Sequence, residues 1–276
     1  MPTKTTPIQI ERVRELLTDS IHDLLMEKVI LITGGNKGVG AELAIECGRQ
    51  GAKVAIAARN VEYADKVLAE AKEKGYDITF FPTDLKNVDQ IKSMVQDTIK
   101  KYGRIDGLVN YAGLLPAATL IDTEEEMFDE VFAVNIKAAM FCCKYVVPEM
   151  QRIGGGSIVF IGSPHAYGGD KDRTTYALSK GALLTLMKHV SSHYQADQIR
   201  SNWITMGWIP TPGEMSLRHA QGHDLAWLKN IAEQLTPAGR LMAPVDLTPG
   251  IIYLLSDLSP MVSGTEMDMT GGLRCD

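Results

Sequence analysis

Short apolar runs recur along the chain from Lys28 onward, and helix-like patterns separate them. Unbroken apolar runs are typical of strands buried on both faces, as in a parallel sheet covered by helices. The predicted strands are 29–33, 53–58, 78–82, 105–109, 157–162, 199–205 and 265–270, and the predicted helices end near 50 or span about 61–74, 88–101, 124–150, 174–195 and 245–256. This order predicts a doubly wound α/β domain, in which ligands bind beyond the carboxyl ends of the strands.

Two segments depart from this alternation. Residues 8–27 carry apolar residues at near-helical spacing, so we predict that residues 1–27 are an N-terminal amphipathic helical extension packed on the domain or on a neighbouring subunit. The main domain is then residues 28–276. Within it, residues 207–244 are poor in strand pattern and rich in Gly, Pro, His and Trp, which predicts a loop-and-short-helix insertion beside the ligand site.

Composition excludes several classes of protein. The 28 basic and 34 acidic residues give a net charge of −6, and no basic block occurs, so nucleic acid is not an expected partner. The sequence contains no run of about 18 apolar residues, so no membrane span is predicted. The N-terminus lacks the unbroken apolar core of a secretory signal. The four cysteines contain no CxxC pair, which favours reduced thiols and a cytoplasmic location.

A glycine loop follows the first predicted strand. Its sequence, Thr33-Gly34-Gly35-Asn36-Lys37-Gly38-Val39-Gly40, lies between that strand and the first helix. Glycines here permit a tight turn and let backbone N–H groups approach a phosphate, while the helix N-terminus favours negative charge. In this context the loop predicts a dinucleotide site.

The residues after the second strand indicate which dinucleotide. Folds of this type place an acid about 20 residues after the glycine loop, where it binds the adenosine ribose 2′-hydroxyl. This chain has Ala58 and Arg59 there, and no acid lies between Glu46 and Glu62. A guanidinium can bind a 2′-phosphate, and Lys37 offers a second cation, so we predict NADP(H) in preference to NAD(H). Asp84, after the third strand, is placed to accept from the adenine amino group.

A candidate catalytic group follows the fifth strand. Tyr176 and Lys180 lie four residues apart on one predicted helix, and Ser163 ends the preceding strand. A phenol with its ordinary pKa near 10 is a poor base at pH 7, and a nearby ammonium favours the phenolate. Tyr176 can then exchange a proton with a substrate oxygen, to which Ser163 donates a hydrogen bond.

These motifs together resemble the short-chain dehydrogenase/reductase family over about residues 28–276. The matching features are TGxxxGxG at 33–40, NNAG at 110–113, a helix asparagine at Asn135, the serine and the YxxxK pair. The resemblance implies a seven-stranded Rossmann sheet, hydride transfer between nicotinamide and a carbonyl or alcohol carbon, and a homotetramer or dimer with the helices near 124–150 and 174–195 at an interface. It implies that Tyr176 is the acid–base, Ser163 the oxygen stabiliser, Lys180 the ribose binder and Asn135 the anchor of a proton-relay water. The predicted cofactor-binding residues are Gly34, Asn36, Lys37, Gly38, Val39, Gly40, Arg59, Asp84, Leu85, Asn110, Ala112, Gly113, Tyr176, Lys180, Gly207, Ile209 and Thr211.

The chain departs from the family pattern at two places. The second asparagine of NNAG is Tyr111, which we expect to add bulk near the adenine side of the sheet. The usual Pro-Gly after the sixth strand is Met206-Gly207, which alters the entry of the loop that carries Ile209 and Thr211.

Candidate substrate residues lie after the fifth and sixth strands: His165, Tyr167, Trp208 and Glu214. Mixed polar and aromatic groups suit a sugar, a polyol or another polar ketone, and a 3-oxoacyl or hydrophobic ketone is the alternative. Two alternative functions outside this reaction class stay open: a non-redox isomerase or lyase, and a dinucleotide-binding regulator. The pairs His189/His193 and His219/His223 have metal-like spacing but lack a third ligand, so no metal is predicted.

Overall fold

A seven-stranded parallel sheet organises the computed structural model, which describes residues 22–211, 215, 219 and 222–273. The strand order is β3-β2-β1-β4-β5-β6-β7. The strands are β1 (Val29–Thr33), β2 (Lys53–Ala58), β3 (Ile78–Pro82), β4 (Gly107–Asn110), β5 (Gly156–Gly162), β6 (Ile199–Met206) and β7 (Glu266–Met269). The predicted fold class and the number of strands are confirmed.

Helices connect the strands and cover both faces of the sheet. They are α1 (Gly38–Arg49), α2 (Val61–Lys74), α3 (Val88–Tyr102), α4 (Glu125–Phe132), α5 (Ala138–Ile153), α6 (Thr174–Tyr194), α7 (Leu225–Leu235) and α8 (Pro244–Leu255). A π-helical turn, Ala133–Lys137, joins α4 to α5. The single helix predicted over 124–150 is therefore a composite, and α7 lies within the predicted insertion.

The core has two layers because successive strand residues point to opposite faces of the sheet. Leu31, on β1, packs in the layer formed with α3, α5 and α6, whereas its neighbours Ile30 and Ile32 pack in the layer formed with α1 and α8. Each of these side chains is 0% exposed, and burying one stabilises the fold by about 1.5–3 kcal/mol. Burial on both faces explains why the strand sequences lack polar alternation.

The strand order reverses beside β1, which pairs with β2 on one side and with β4 on the other. Thr33, at the end of β1, ties the loops that follow these strands together. Its Oγ1 donates to Val109 O (3.3 Å) and accepts from the backbone N–H groups of Tyr111 (3.2 Å) and Ala112 (3.3 Å). A crevice at such a reversal is where ligands bind in doubly wound sheets.

Some element boundaries differ from the sequence prediction. β4 begins at Gly107 instead of residue 105. Residues 24–27 form a turn, not the end of a helix, and Leu25 is fully buried with its N–H donating to Gln50 O. The rest of the predicted N-terminal helix, residues 8–21, lies outside the described residues.

The composite helix Glu125–Ile153 has the length and apolar composition of a membrane span, but 44% of its apolar window is buried inside the domain. A core helix of a globular domain has the same character. Cys142 and Cys143 lie on the buried part of this helix, and burial raises the pKa of both thiols. Neither is therefore a reactive nucleophile.

Candidate active site

The π-helical turn carries Asn135 into the interior, where it is 1% exposed. Its Nδ2 donates to Leu114 O (3.0 Å) and to Ser179 Oγ (2.9 Å), and its Oδ1 accepts from Leu114 N (2.7 Å). The side chain thereby joins the loop after β4 to helix α6. This contact holds the inner wall of the crevice in place.

Lys180 is the next residue on α6, and its ammonium is almost fully buried. Its Nζ donates to Ile161 O at 2.8 Å, and desolvation by burial lowers its pKa to about 8. A methyl group on Gly113 would lie 3.8 Å from this Nζ and 3.5 Å from Asn135 Oδ1. The glycine therefore leaves space in front of a buried charge and a buried amide, as a bound ribose would require.

Tyr176 and Ser163 complete the predicted catalytic group. Tyr176 is 7% exposed, and the Nζ of Lys180 lies 5.6 Å from the centroid of its ring. Ser163 follows the last residue of β5, is 6% exposed and caps a short 3₁₀ turn, Pro164–Ala166. The end of β5 and the first turns of α6 thus supply a hydroxyl, a phenol and an ammonium on the same side of the sheet.

His165, a predicted substrate residue, contacts two members of this group. Its Nδ1 lies 3.2 Å from Ser163 Oγ, and its ring meets the Tyr176 ring edge-on with centroids 5.6 Å apart. Its Nε2 lies 3.4 Å from Asp170 Oδ2. Tyr167 differs, because it is 59% exposed and its hydroxyl donates to Glu266 on β7.

The glycine loop has the backbone geometry that its sequence predicts. Gly34 and Gly38 have φ values of +75° and +56°, which other residues adopt only with strain. A methyl group on Gly40 would lie 2.3 Å from Gly34 O, so this position also requires glycine. Helix α1 starts at Gly38, has no acid in its first turn, and receives no side-chain cap from Lys37. This arrangement fits the pyrophosphate of a dinucleotide.

Tyr111 packs against this loop, a role that the sequence did not reveal. Methyl groups on Gly34 and Gly40 would lie 3.1 Å and 3.0 Å from its Cδ1. Burial raises its pKa to about 12, while hydrogen bonds from the backbone of Gly40 and Val39 to its hydroxyl oxygen act in the opposite direction. The bulk of the Tyr111 side chain therefore supports the glycine loop.

The outer end of the crevice is exposed and basic. Lys37 and Arg59 are both exposed. Tyr63, on α2, lies between two ammonium groups, with the Nζ of Lys37 5.8 Å and that of Lys66 5.6 Å from its ring centroid. Asn36 Nδ2 donates to Asn60 O at 2.8 Å and joins the glycine loop to the start of α2. Sequence reasoning missed Tyr63 and Lys66, whose only signal was their position on the helix after Arg59.

The remaining predicted cofactor residues have different surroundings. Leu85, Asn110 and Ala112 line a small cavity with Asn135, and Asp84 Oδ1 accepts from Lys86 N (3.0 Å). Thr211 approaches the glycine loop, since a methyl group on Gly38 would lie 3.4 Å from its Cγ2. Ile209 is buried in the core. Gly207 packs against Thr270, whose Cα would lie 2.8 Å from an added methyl group.

An aromatic cluster marks the start of the predicted substrate segment. Trp208 meets Trp227 edge-on with centroids 6.5 Å apart, and His223 stacks on Trp227 at 3.8 Å. Trp227 is on α7, so this helix fixes the cluster. Glu214, the fourth predicted substrate residue, lies outside the described residues.

A doubly wound sheet with a glycine loop after β1 and a buried tyrosine–lysine pair beyond β5 defines a dinucleotide-dependent oxidoreductase. A family model described as Enoyl-(Acyl carrier protein) reductase matches residues 34–274. The chain belongs to the short-chain dehydrogenase/reductase family and is an enzyme of the dehydrogenase/reductase type.

Named relatives cover nearly the whole chain. A 3-oxoacyl-[acyl-carrier-protein] reductase, FabG, of Thermotoga maritima is 32% identical over 89% of this chain and 97% of its own length. A 3beta-hydroxysteroid dehydrogenase of Mediterraneibacter gnavus is 31% identical over 89% of this chain and 94% of its own. The solved structure of a short-chain type dehydrogenase/reductase from Mycobacterium marinum is 27% identical, with a TM-score of 0.83 over 95% of this chain and 99% of that one.

Proposed function

We propose that the protein is an NADP(H)-dependent oxidoreductase that interconverts a carbonyl group and a secondary alcohol. The observation that carries the proposal is the buried Lys180 ammonium, 5.6 Å from the centroid of the Tyr176 ring and on the same side of the sheet as Ser163. Burying a charged ammonium costs free energy. Here the ammonium lies beside a phenol, whose ionised form it can stabilise.

Each member of the catalytic group has a separate role in this reaction. In reduction, Tyr176 gives a proton to the substrate oxygen while Ser163 donates a hydrogen bond to it. Lys180 stabilises the phenolate that remains. Lowering the pKa of the Tyr176 phenol from about 10 to about 7 would require the site to favour the phenolate over the phenol by about 4 kcal/mol. Asn135 holds the wall on which these groups are mounted, and the relay role that the family implies for it stays a prediction.

The residues of the crevice fit a nicotinamide dinucleotide. The glycine loop, Val39 and Asn36 would hold the phosphates and the adenosine of the dinucleotide. The space in front of Gly113 would let the nicotinamide ribose reach Lys180. When bound, the nicotinamide supplies or accepts a hydride. Lys37 and Arg59 support NADP(H), because both are exposed cations near the end of β2 and can bind a 2′-phosphate. The cytoplasmic location stays a prediction from the sequence.

Two substrate classes have support. The aromatic cluster of Trp208, His223 and Trp227, with His165 beside the catalytic group, favours a sugar, a polyol or another polar ketone. The names of the 3-oxoacyl reductase and hydroxysteroid dehydrogenase relatives favour a hydrophobic ketone. A dinucleotide-binding regulator is disfavoured because serine, tyrosine and lysine are all present, and an isomerase or lyase would turn over without net oxidation of NADPH.

One experiment tests both parts of the proposal. The protein is titrated with NADPH and with NADH by nicotinamide fluorescence, and then assayed at saturating cofactor with ketoses, ketoacids, 3-oxoacyl thioesters and 3-ketosteroids. We expect tighter binding of NADPH and its net oxidation with one class of ketone. Tighter binding of NADH would contradict the roles of Lys37 and Arg59, and turnover without net oxidation would favour the isomerase or lyase.

We also propose that the active form is a homo-oligomer. Helices α4 and α6, together with the loop before α4, expose a connected apolar groove that includes Leu120 (74% exposed), Phe128 (39%) and Leu178 (55%). Extended apolar patches mark interaction sites, and pairing of the same two helices in a second copy would cover both patches at once. We expect light scattering to give a dimer or tetramer and Leu178→Glu to reduce its mass. A monomeric wild-type protein would refute this assembly.

A further inference from the structure

The hydroxyl of Ser163 has a limited number of hydrogen-bonding positions. A hydroxyl group donates one hydrogen bond and accepts two. One accepting position is taken by the backbone N–H of His165, 3.3 Å from Oγ. The imidazole Nδ1 of the same residue, 3.2 Å away, must either accept the hydroxyl proton or donate to the other lone pair. Only in the second case is the hydroxyl proton available to a substrate oxygen.

We propose that His165, held by Asp170, is a positioning residue that sets the direction of the Ser163 hydroxyl proton. The inference rests on the proposed reduction of a carbonyl substrate. The Asp170 carboxylate lies 3.4 Å from Nε2, outside hydrogen-bond geometry, and its charge favours the neutral tautomer of His165 with the proton on Nε2. In that tautomer Nδ1 accepts from Ser163. When the imidazole takes up a second proton from solvent, Nδ1–H donates to Oγ and the hydroxyl proton turns to the substrate oxygen. That proton stays on His165 and is not consumed.

The surroundings of His165 determine where this change occurs on the pH scale. Burial of the imidazole is the largest effect and lowers its pKa below the ordinary value near 6.5, and Arg173 acts in the same direction. Asp170 and Asp172 oppose it, although Asp172 is also paired with Arg173 at 2.8 Å. Among the residues that the structure describes, Tyr176 is a further titratable group whose ring contacts the imidazole. The protonated form therefore gains population in mildly acidic solution.

The test is the pH profile of kcat/KM for carbonyl reduction. In the wild type we expect a rise as pH falls through the pKa of His165, on top of any dependence due to Tyr176. His165→Asn cannot titrate but can hydrogen-bond to Ser163, so it should keep activity within about threefold and lose the rise. His165→Leu should lose the rise and fall to about a tenth of the wild-type value at low pH. Asp170→Asn should move the rise to lower pH, and Asp97→Asn, an exposed control on α3, should leave it in place.

Three results would overturn the inference. These are a wild-type pH profile in His165→Leu, an equal loss in the Asn and Leu variants at every pH, and an unshifted rise in Asp170→Asn. A second measurement does not need turnover. Long-range ¹H–¹⁵N NMR of the protein with NADPH, with His165 assigned from the His165→Asn spectrum, should show the neutral ring protonated on Nε2. A ring protonated on Nδ1 would refute the proton arrangement, whereas absence of turnover with every ketone would refute only the proposed function.

Discussion

The two ends of the crevice use positive charge in different ways. At the inner end Lys180 is 4% exposed, donates to Ile161 O and has a pKa lowered to about 8 by desolvation. At the outer end Lys37 and Arg59 are exposed, and the Nζ of Lys37 lies 5.8 Å from the centroid of the Tyr63 ring. The inner cation is held in one place by its surroundings, whereas the outer cations are open to solvent.

Under the proposed function, the buried cation would act on proton transfer and the exposed cations on the choice of cofactor. A buried ammonium acts in a medium of low dielectric constant, so its effect on a neighbouring phenol is large, but it must be placed accurately and costs stability. Exposed cations are screened by water and salt, and each contributes modestly. Under the proposed function, these cations would discriminate between two cofactors that differ by one phosphate.

The largest effect is expected at the inner end. Tyr176→Phe removes the proton that the substrate oxygen receives, so we expect kcat to fall by about 10²–10⁴-fold. Binding of NADPH, followed by nicotinamide fluorescence, should change little because the glycine loop and the outer cations are intact. Turnover within a few-fold of wild type would refute the acid–base role.

An intermediate effect is expected at the outer end. Arg59→Asp replaces a guanidinium with a carboxylate that repels a 2′-phosphate, so we expect the NADPH/NADH ratio of kcat/KM to fall by about 10–100-fold. The control is Lys72→Asp, which makes the same change of charge at an exposed position near the other end of α2. A ratio that is unchanged in Arg59→Asp, or equally reduced in both variants, would contradict a local role.

A smaller effect concerns the stability of the protein without cofactor. The pKa of Lys180 is about 8 in the folded chain and 10.5 when unperturbed, so between these values the unfolded state binds more protons. The free energy of unfolding should therefore rise with pH from 8 to 10.5. Lys180→Met should abolish that contribution and be more stable at pH 7 by about 1–3 kcal/mol, after allowing for the lost hydrogen bond to Ile161 O.

Urea denaturation of both proteins at pH 7 and pH 10 measures this difference. Lys188→Met, at an exposed position on the same helix, is the control for removing one lysine. A Lys180→Met variant that is less stable than wild type at pH 7 would show that the ammonium stabilises the fold. The statement that burying the Lys180 ammonium costs stability would then be wrong.

The sequence was sufficient for most of the fold, because strands buried on both faces have an unmistakable composition. β1, β2 and β3 occupy the predicted residues. The helix that carries Asn135 was predicted as one uninterrupted α-helix, since apolar spacing does not register a single widened turn. The serine, tyrosine and lysine proposed as catalytic were predicted from their spacing, and the structure places them at the end of β5 and on α6.

Contacts across the fold could not be identified in that way. The support of the glycine loop by Tyr111 depends on how β4 packs beside α1, and the position of Tyr63 between two ammonium groups depends on how α2 leaves the sheet. The meeting of His165 with Asp170 depends on the path of the loop before α6. Such contacts arise from tertiary geometry, which residue types and their spacing do not encode locally.

The π-helical turn at Ala133–Lys137 also sets the rotation of α4 relative to α5 about their common axis. A π turn accommodates about one residue more than an α turn, and each residue rotates an α-helix by about 100°. Deleting one residue here would restore an ordinary helix but turn Phe128 and the outer apolar groove away from their present direction relative to α5. The extra residue thus changes the rotation between the two parts of the helix, so that Asn135 faces the interior while Phe128 faces the apolar groove.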